Sequence, residues 1–433
     1  MNTVEDLALD AQQPVPTRAQ ALIVAGLIVA PLALGLVARL VPFASPLPIG
    51  SGGLFAVMTE ELRSDAWPMT TAYNDSGIPF AYPPLGLHLL AALPGDVLDL
   101  MRVVPAVLSL LLVGAVFLVA RRLLTPRGAV LATAAYAVIP AGWGLYGSDA
   151  IRNLGVLLAL LALWAALRMT SGRDSVLAGG LAGLAVLTHP SAAAFALITG
   201  VALVAWRPRS WPLLAMAAGS AAIVVAPWIV LILVRYGPDP LAAALTSHVT
   251  SFPLARLATY GPTGLGPLDP LVGVGVIGAV RRPWLAIWTA ALVFMPATSD
   301  RFVAVGWGLL VGAALERLPW QARGAVLAVA TALSFVALAG VRPAITPAIV
   351  SEMRAAVGAA PNGTDFAIRA DDPAVAEWFP ALTGAHSVGT YQGLEWVGRD
   401  EFWRAVSLSA AIQRGEAVGA VVIDLRARGT VTP

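Results

Sequence analysis

A few ionisable side chains stand between the long apolar runs of this chain, and they are the residues best placed to do chemistry. Glu60, Glu61 and Asp149 supply carboxylates, while His189 and Arg301 supply nitrogen donors. A charge at membrane depth is costly, so such residues usually pair with one another or serve a function. Half-buried carboxylates suit the acceptance of a proton, and Arg or His suits the binding of an anion.

Each acid also has a purely structural interpretation. Glu60 and Glu61 match the solvated face of a helix that lies on a surface. Asp149 precedes Arg152 by three residues, a spacing typical of an ion pair on one helix. An acid at the start of a helix is favoured by the helix dipole as well.

The nitrogen-bearing residues have structural alternatives too. His189 stands directly before Pro190, so it would cap a helix that begins at the proline. Arg301 follows Asp300, a combination typical of ordinary charge at a membrane interface. Both interpretations stay open beside a role in anion binding.

Apolar runs dominate the sequence between these charges, from about residue 19 to residue 341. Hydrophobic residues make up 58% of the 433 residues and charged residues 12%, and the mean hydropathy is +0.78. A soluble protein could not bury that much apolar surface, whereas a run of about 20 apolar residues spans a bilayer as a helix. We therefore expect a mainly α, polytopic transmembrane protein with about eleven spans.

The short gaps between the runs are alternately rich and poor in Arg, which predicts an orientation. Under the positive-inside rule, the Arg-rich gaps face the cytoplasm. Asp149, His189, the segment 42–100 and the C-terminal region then face the other side of the plasma membrane.

The chain divides by composition into three parts. Residues 1–18 form a polar cytoplasmic tail, residues 19–341 form the transmembrane part with an interfacial outer loop at 42–100, and residues 343–433 form a small extracytoplasmic α/β domain. In that last part, 365–368 and 418–423 are predicted strands, and 373–379 and 400–414 have helical spacing. Residues 54–62 have the spacing of an amphipathic helix at the membrane surface.

Composition also excludes several classes of site. The chain has no Cys, which rules out disulfides, thiolate metal sites and Cys nucleophiles. It has no basic stripe of the kind that binds nucleic acid. No dense acidic or His cluster demands a metal, and no cofactor is certain, although a divalent cation stays open.

The order of several short motifs resembles the GT-C glycosyltransferases, membrane enzymes that use polyprenyl-phosphate sugars. The resemblance covers roughly residues 20–320, and the spacing of the motifs carries it. The motifs are Tyr82-Pro83-Pro84-Leu85 at the end of a long outer loop, Ser148-Asp149 in a short one, Thr188-His189-Pro190, Pro227-Trp228 and Asp300-Arg301-Phe302.

The resemblance implies an inverting hexosyl or pentosyl transfer from a polyprenyl-phosphate donor to a glycan, lipid or protein acceptor on the outer face. A carboxylate would take the acceptor proton, and cations would face the departing lipid phosphate. The candidate bases are Glu60, Glu61 and Asp149. The candidate substrate-binding residues are Arg152, His189, Arg301 and Tyr82.

One departure from the family pattern keeps other functions open. Family members usually have an Asp or Glu shortly after the first span, but residues 48–55 contain no acid. The alternative is a non-catalytic GT-C-like scaffold or binding protein. A transporter is less favoured, because the broken segment at 176–206 has no clear counterpart in the other half of the chain.

Overall fold

A computed structural model describes residues 17–64, 67–247, 269–293, 300–343, 345–416 and 418–426 of the chain. The predicted tail 1–18 lies almost wholly outside the described residues. Helices dominate the structure, and a small parallel sheet lies near the C-terminus.

Mostly apolar helices follow one another through the first 340 residues. They are α1 (Arg18–Ala44), α2 (Gly53–Ser64), α3 (Pro84–Ala92), α4 (Val97–Leu123), α5 (Pro126–Ala137), α6 (Asp149–Ala166), α7 (Gly172–Val186), α8 (Pro190–Trp206), α9 (Trp211–Tyr236), α10 (Asp239–Ser247), α11 (Pro270–Arg281), α12 (Pro283–Val293), α13 (Asp300–Leu315) and α14 (Trp320–Ala339).

Five described stretches are long and apolar enough to cross a bilayer alone, and they correspond to α1, α4, α6, α9 and α14. Three shorter apolar helices, α8, α11 and α12, have 10–17 residues. The protein is therefore an integral multi-pass membrane protein, since such helices satisfy their own backbone in lipid. A helix occurs at each predicted span, but the count of eleven membrane crossings stays a prediction.

A buried arginine in the first membrane helix holds the turn that follows α5. The Arg39 guanidinium donates to the carbonyl oxygens of Gly35 at 2.7 Å and Ala137 at 3.0 Å. It also donates to those of Ser109 at 3.2 Å and Gly142 at 3.3 Å. The bond to Ala137 satisfies a carbonyl at the end of α5, and the others join this turn to the first and fourth helices.

The C-terminal elements form a small α/β unit. They are α15 (Pro347–Ala359), β1 (Phe366–Arg369), α16 (Ala374–Thr383), β2 (Ser387–Val388), α17 (Arg399–Arg414) and β3 (Val421–Asp424). The strands are parallel in the order β2-β1-β3. The two predicted strands and the two predicted helices of this region are confirmed.

The C-terminal unit shares its hydrophobic core with the segment 42–100. Leu54 and Phe55 of α2 lie in one buried cluster with Ile368 of β1 and with Trp378 and Phe379 of α16. The predicted amphipathic helix at 54–62 is confirmed as α2, but its apolar face packs against protein. The aromatic pair of α16 is core, because both side chains are completely buried.

Candidate functional site

An ion pair joins the starts of two helices. Asp149 begins α6 and Arg301 lies in the first turn of α13, and an Nη of Arg301 donates to the Asp149 carboxylate. The second carboxylate oxygen accepts the backbone N–H of Tyr146 at 3.0 Å. Asp149 therefore pairs with an arginine 152 positions away, and no ion pair joins it to Arg152.

The segment after the first helix fixes the position of Asp149. The backbone N–H of Gly147 donates to the carbonyl oxygen of Ile49 at 2.9 Å, and that of Ser148 donates to the carbonyl oxygen of Ser51 at 2.7 Å. These bonds attach the turn before α6 to the start of the segment 42–100, which we call the first loop. Asp149 is completely buried behind them, whereas the Arg301 side chain keeps 13% of its exposure.

A cavity of about 700 Å³ opens beside this ion pair. Its wall combines the start of the first loop, the turn after α5, the starts of α6 and α13, the end of α14 and the C-terminal unit. Lining residues include Ile49, Gly50, Ser51, Trp143, Tyr146, Asp149, Asp300, Arg301, Arg342, Asp372, Glu377 and Tyr391. Polar and apolar groups meet here, as is typical of a ligand site.

Two arginines give the cavity its capacity to hold an anion. The Nε of Arg301 is buried and has no hydrogen-bond partner in the described part of the chain. Arg342, which follows α14, is exposed at the cavity wall. A phosphate is a strong acceptor for guanidinium groups, so it would satisfy the buried donor.

Glu377 in the first turn of α16 contributes a buried carboxyl to the same cavity. Its side chain is 5% exposed, and its Oε2 has no partner among the described residues. Burial raises the pKa of Glu377 to about 8, the nearby charge of Arg152 opposes this rise, and Asp372 and Glu395 add to it. A carboxyl with this pKa exchanges its proton near neutral pH.

Tyr82, His189 and Arg152 gather in a neighbouring cluster, and none of them lines the cavity. The Tyr82 ring meets the His189 ring edge-on, with centroids 5.9 Å apart. Burial raises the pKa of Tyr82, and the charge of Arg152 opposes it. His189 caps α8, since its Nδ1 accepts the Ser191 N–H at 3.2 Å. The predicted helix boundary at His189-Pro190 is confirmed.

The two candidate acids of α2 lie away from the cavity. Glu60 is exposed and pairs with Arg63 at 3.2 Å on the same helix. Glu61 accepts the backbone N–H of Ala72. Burial raises the pKa of Glu61, and hydrogen bonds from Ala72 and Thr71 oppose the rise. Glu61 thus holds the backbone of the first loop and Glu60 pairs within its own helix, and the catalytic role of both stays a prediction.

Proteins of known structure share this architecture. Residues 82–231 match the family described as dolichyl-phosphate-mannose-protein mannosyltransferase. ArnT from Cupriavidus metallidurans, solved with bound undecaprenyl phosphate, superposes with a TM-score of 0.61 at 17% sequence identity. That match covers 92% of this chain and 90% of ArnT. The chain has the fold of the GT-C family.

An archaeal structure shows the same fold. The oligosaccharyltransferase of Archaeoglobus fulgidus, solved with Zn and sulfate, matches with a TM-score of 0.54 at 16% identity over 83% of this chain. Its AglB complex with an inhibitory peptide and a dolichol-phosphate matches with a TM-score of 0.55 at 14% identity over 84% of this chain. The chain spans under two thirds of the archaeal protein, at 62% and 64% of its length. No curated protein matches the sequence significantly.

Within this GT-C fold, the described residues contain no group of three or more His, Asp or Glu side chains arranged to hold a metal ion. Two carboxylates of the cavity have other partners. Asp149 binds Arg301, and Asp372 accepts the Ala374 N–H at 2.9 Å.

Sequence reasoning missed two cavity residues. Arg342 directly follows the last apolar run, and this position was the available signal for it. Glu377 stands in a helix of ordinary polarity, and no local pattern marks it. Its importance depends on packing against the first loop, more than 300 positions earlier.

Proposed function

We propose that this protein is a membrane glycosyltransferase that moves a sugar from a polyprenyl-phosphate donor to an acceptor bound in the cavity. The observation that carries the proposal is the position of the Arg301 side chain. Asp149 holds it at the cavity wall, and its buried Nε–H has no partner among the described residues. The matched family and the lipid phosphates bound by ArnT and AglB support the choice of donor.

Arg301 would face the donor phosphate, with Arg342 as a second cation. Negative charge grows on the phosphate as the sugar leaves, and a guanidinium already in place stabilises that charge without reorganisation. Asp149 has both carboxylate oxygens occupied, so its proposed role is to position Arg301. Tyr82, His189 and Arg152 would form the side of the site beyond the cavity wall.

An apolar cavity of about 870 Å³ suits the lipid part of the donor. It lies between α6, α7, α8 and α9 and is lined largely by small apolar side chains. In this proposal the Arg-rich gaps face the cytoplasm. The segment 42–100 and the C-terminal unit then face the opposite side, where the acceptor, a glycan, lipid or protein, would arrive.

Binding of undecaprenyl phosphate to the purified protein in nanodiscs tests the site. We expect Arg301→Gln to weaken binding about 10-fold or more, because a hydrogen bond to a charged group contributes about 1.5–3 kcal/mol. Arg342→Gln, at an exposed position, should weaken binding without affecting folding. Arg404→Gln, which changes an exposed arginine of α17 outside the cavity, is the matched control.

Transfer is tested with polyprenyl-phosphate mannose and other polyprenyl-phosphate sugars as donors and membrane glycans as acceptors. Release of polyprenyl phosphate together with a glycosylated product supports the proposal. Failure of the wild-type protein to bind undecaprenyl phosphate, or equal binding by Arg301→Gln, would contradict it.

A non-catalytic scaffold is the second candidate, and the absence of an acid from residues 48–55 favours it. This candidate predicts binding of undecaprenyl phosphate without transfer from any donor of the panel. Sugar transfer therefore distinguishes the glycosyltransferase from the scaffold.

A further inference from the structure

The start of α16 is fastened to the first loop at the edge of the cavity. The indole N–H of Trp378 donates to the Gly50 carbonyl at 2.6 Å. The Tyr73 hydroxyl donates to the Glu377 carbonyl at 3.1 Å. One bond holds the Glu377 carbonyl and the other holds the neighbouring Trp378 side chain, so the start of α16 has a fixed position beside the cavity.

Glycines in the first loop make this approach possible. A Cβ on Gly53 would lie 1.7 Å from the Glu377 carbonyl oxygen, and one on Gly52 would lie 2.9 Å from the Trp378 ring. Contacts that short exclude any side chain at these two positions. The loop therefore offers backbone at this edge of the cavity, and the carboxylate there comes from α16.

Glu377 also differs from the other acids of the cavity. Asp149 has both oxygens bound, and Asp372 is exposed and accepts the backbone N–H of Ala374 at the start of α16. Asp300 is exposed and interacts with another residue. Of the acids in the described cavity wall, Glu377 combines burial with an unpartnered carboxylate oxygen.

We propose that Glu377 is the general base of the transfer, a role taken by the C-terminal unit because residues 48–55 contain no acid. This inference rests on the proposed glycosyltransferase function. The acceptor hydroxyl gives its proton to the Glu377 carboxylate, and its oxygen forms a bond to the anomeric carbon of the sugar. The bond from that carbon to the phosphate oxygen breaks, and its electron pair leaves with polyprenyl phosphate, beside Arg301.

The charges around Glu377 agree with this role. Burial raises its pKa to about 8, so the base form increases as pH rises towards that value. The ionisable groups that interact with it are Arg152, Asp372, Glu395, Tyr73 and Tyr391.

Glu377→Gln separates this inference from the proposed function. We expect the variant to bind undecaprenyl phosphate as the wild type does and to transfer sugar at least 100-fold more slowly. Wild-type turnover should rise with pH up to about 8. Glu401→Gln changes a half-buried acid of α17 outside the cavity and is the matched control.

Equal turnover by Glu377→Gln and the wild type overturns the inference but leaves the glycosyltransferase intact. Absence of both binding and turnover in the wild type removes the function itself.

Carbodiimide labelling gives a readout on the wild-type protein, so it does not depend on the folding of a variant. Dicyclohexylcarbodiimide reacts with protonated carboxyl groups in apolar surroundings, and mass spectrometry locates the product. We expect labelling of Glu377 in the wild-type protein at pH 7 and less labelling above pH 8. At pH 7, the loss of transfer activity should parallel the extent of labelling. An unlabelled Glu377 at pH 7, or full transfer after its labelling, overturns the inference.

Discussion

At the residue scale, Glu377 makes the stability of the protein depend on pH. Its pKa is about 8 in the folded protein, against 4.5 for an ordinary Glu. Its protonated form is therefore favoured by folding, and its contribution is complete below pH 4.5. That contribution is lost as pH rises through about 8, at a rate of at most about 1.4 kcal/mol per pH unit.

Thermal unfolding in detergent at pH 5.5 and 8.5 measures this dependence. The melting temperature of the wild type should decrease between the two values more than that of Glu377→Gln, which has no charge to lose. Parallel curves for the two proteins would show that the carboxyl titrates normally.

At the element scale, the contact between α2 and α16 depends on the absence of a side chain. Gly53→Ala places a methyl group against the Glu377 carbonyl, so the two helices must separate. We expect a loss of about 1–3 kcal/mol in the free energy of unfolding, the usual cost of overpacking.

Gly358→Ala in α15 is the matched control, because a Cβ there meets nothing within 4 Å. Alanine favours a helix over glycine, so this variant should be neutral or slightly stabilised. Denaturant or thermal unfolding compares the stabilities of Gly53→Ala and Gly358→Ala. Equal stability of the two variants would mean that the α2–α16 contact is not tight.

Most of these elements could be predicted from local sequence patterns. Apolar runs identified the membrane helices, and Pro190 marked the start of α8. The partner of Asp149 could not be predicted in this way. The three-residue spacing favoured Arg152, but tertiary packing brought Arg301 to it from a distant helix. Spacing along one helix limits neighbours only on that helix.

At the scale of the whole molecule, the C-terminal unit depends on the first loop for its core. Leu54, Phe55 and Phe80 complete the cluster that buries Trp378 and Phe379. The sequence predicted an α/β unit at 343–433 from its polarity and short runs. It gave no sign of the shared core, because burial depends on contacts between segments far apart in the chain.

A fragment of residues 343–433 tests this dependence. Alone, it should lack a cooperative unfolding transition by near-ultraviolet circular dichroism, because its large aromatic side chains would be left in water. Co-expression with residues 1–342 should restore association of the two pieces. A fragment that unfolds cooperatively by itself would show that its core is self-sufficient.

The hydrogen bond between Trp378 and Gly50 also has a consequence for biogenesis. It joins residues 328 positions apart, and Tyr391, still later in the chain, completes the same wall. The ribosome has therefore synthesised the chain as far as Tyr391 before this cavity wall can be complete. Nascent chains that stall earlier therefore carry Arg301 without an assembled cavity.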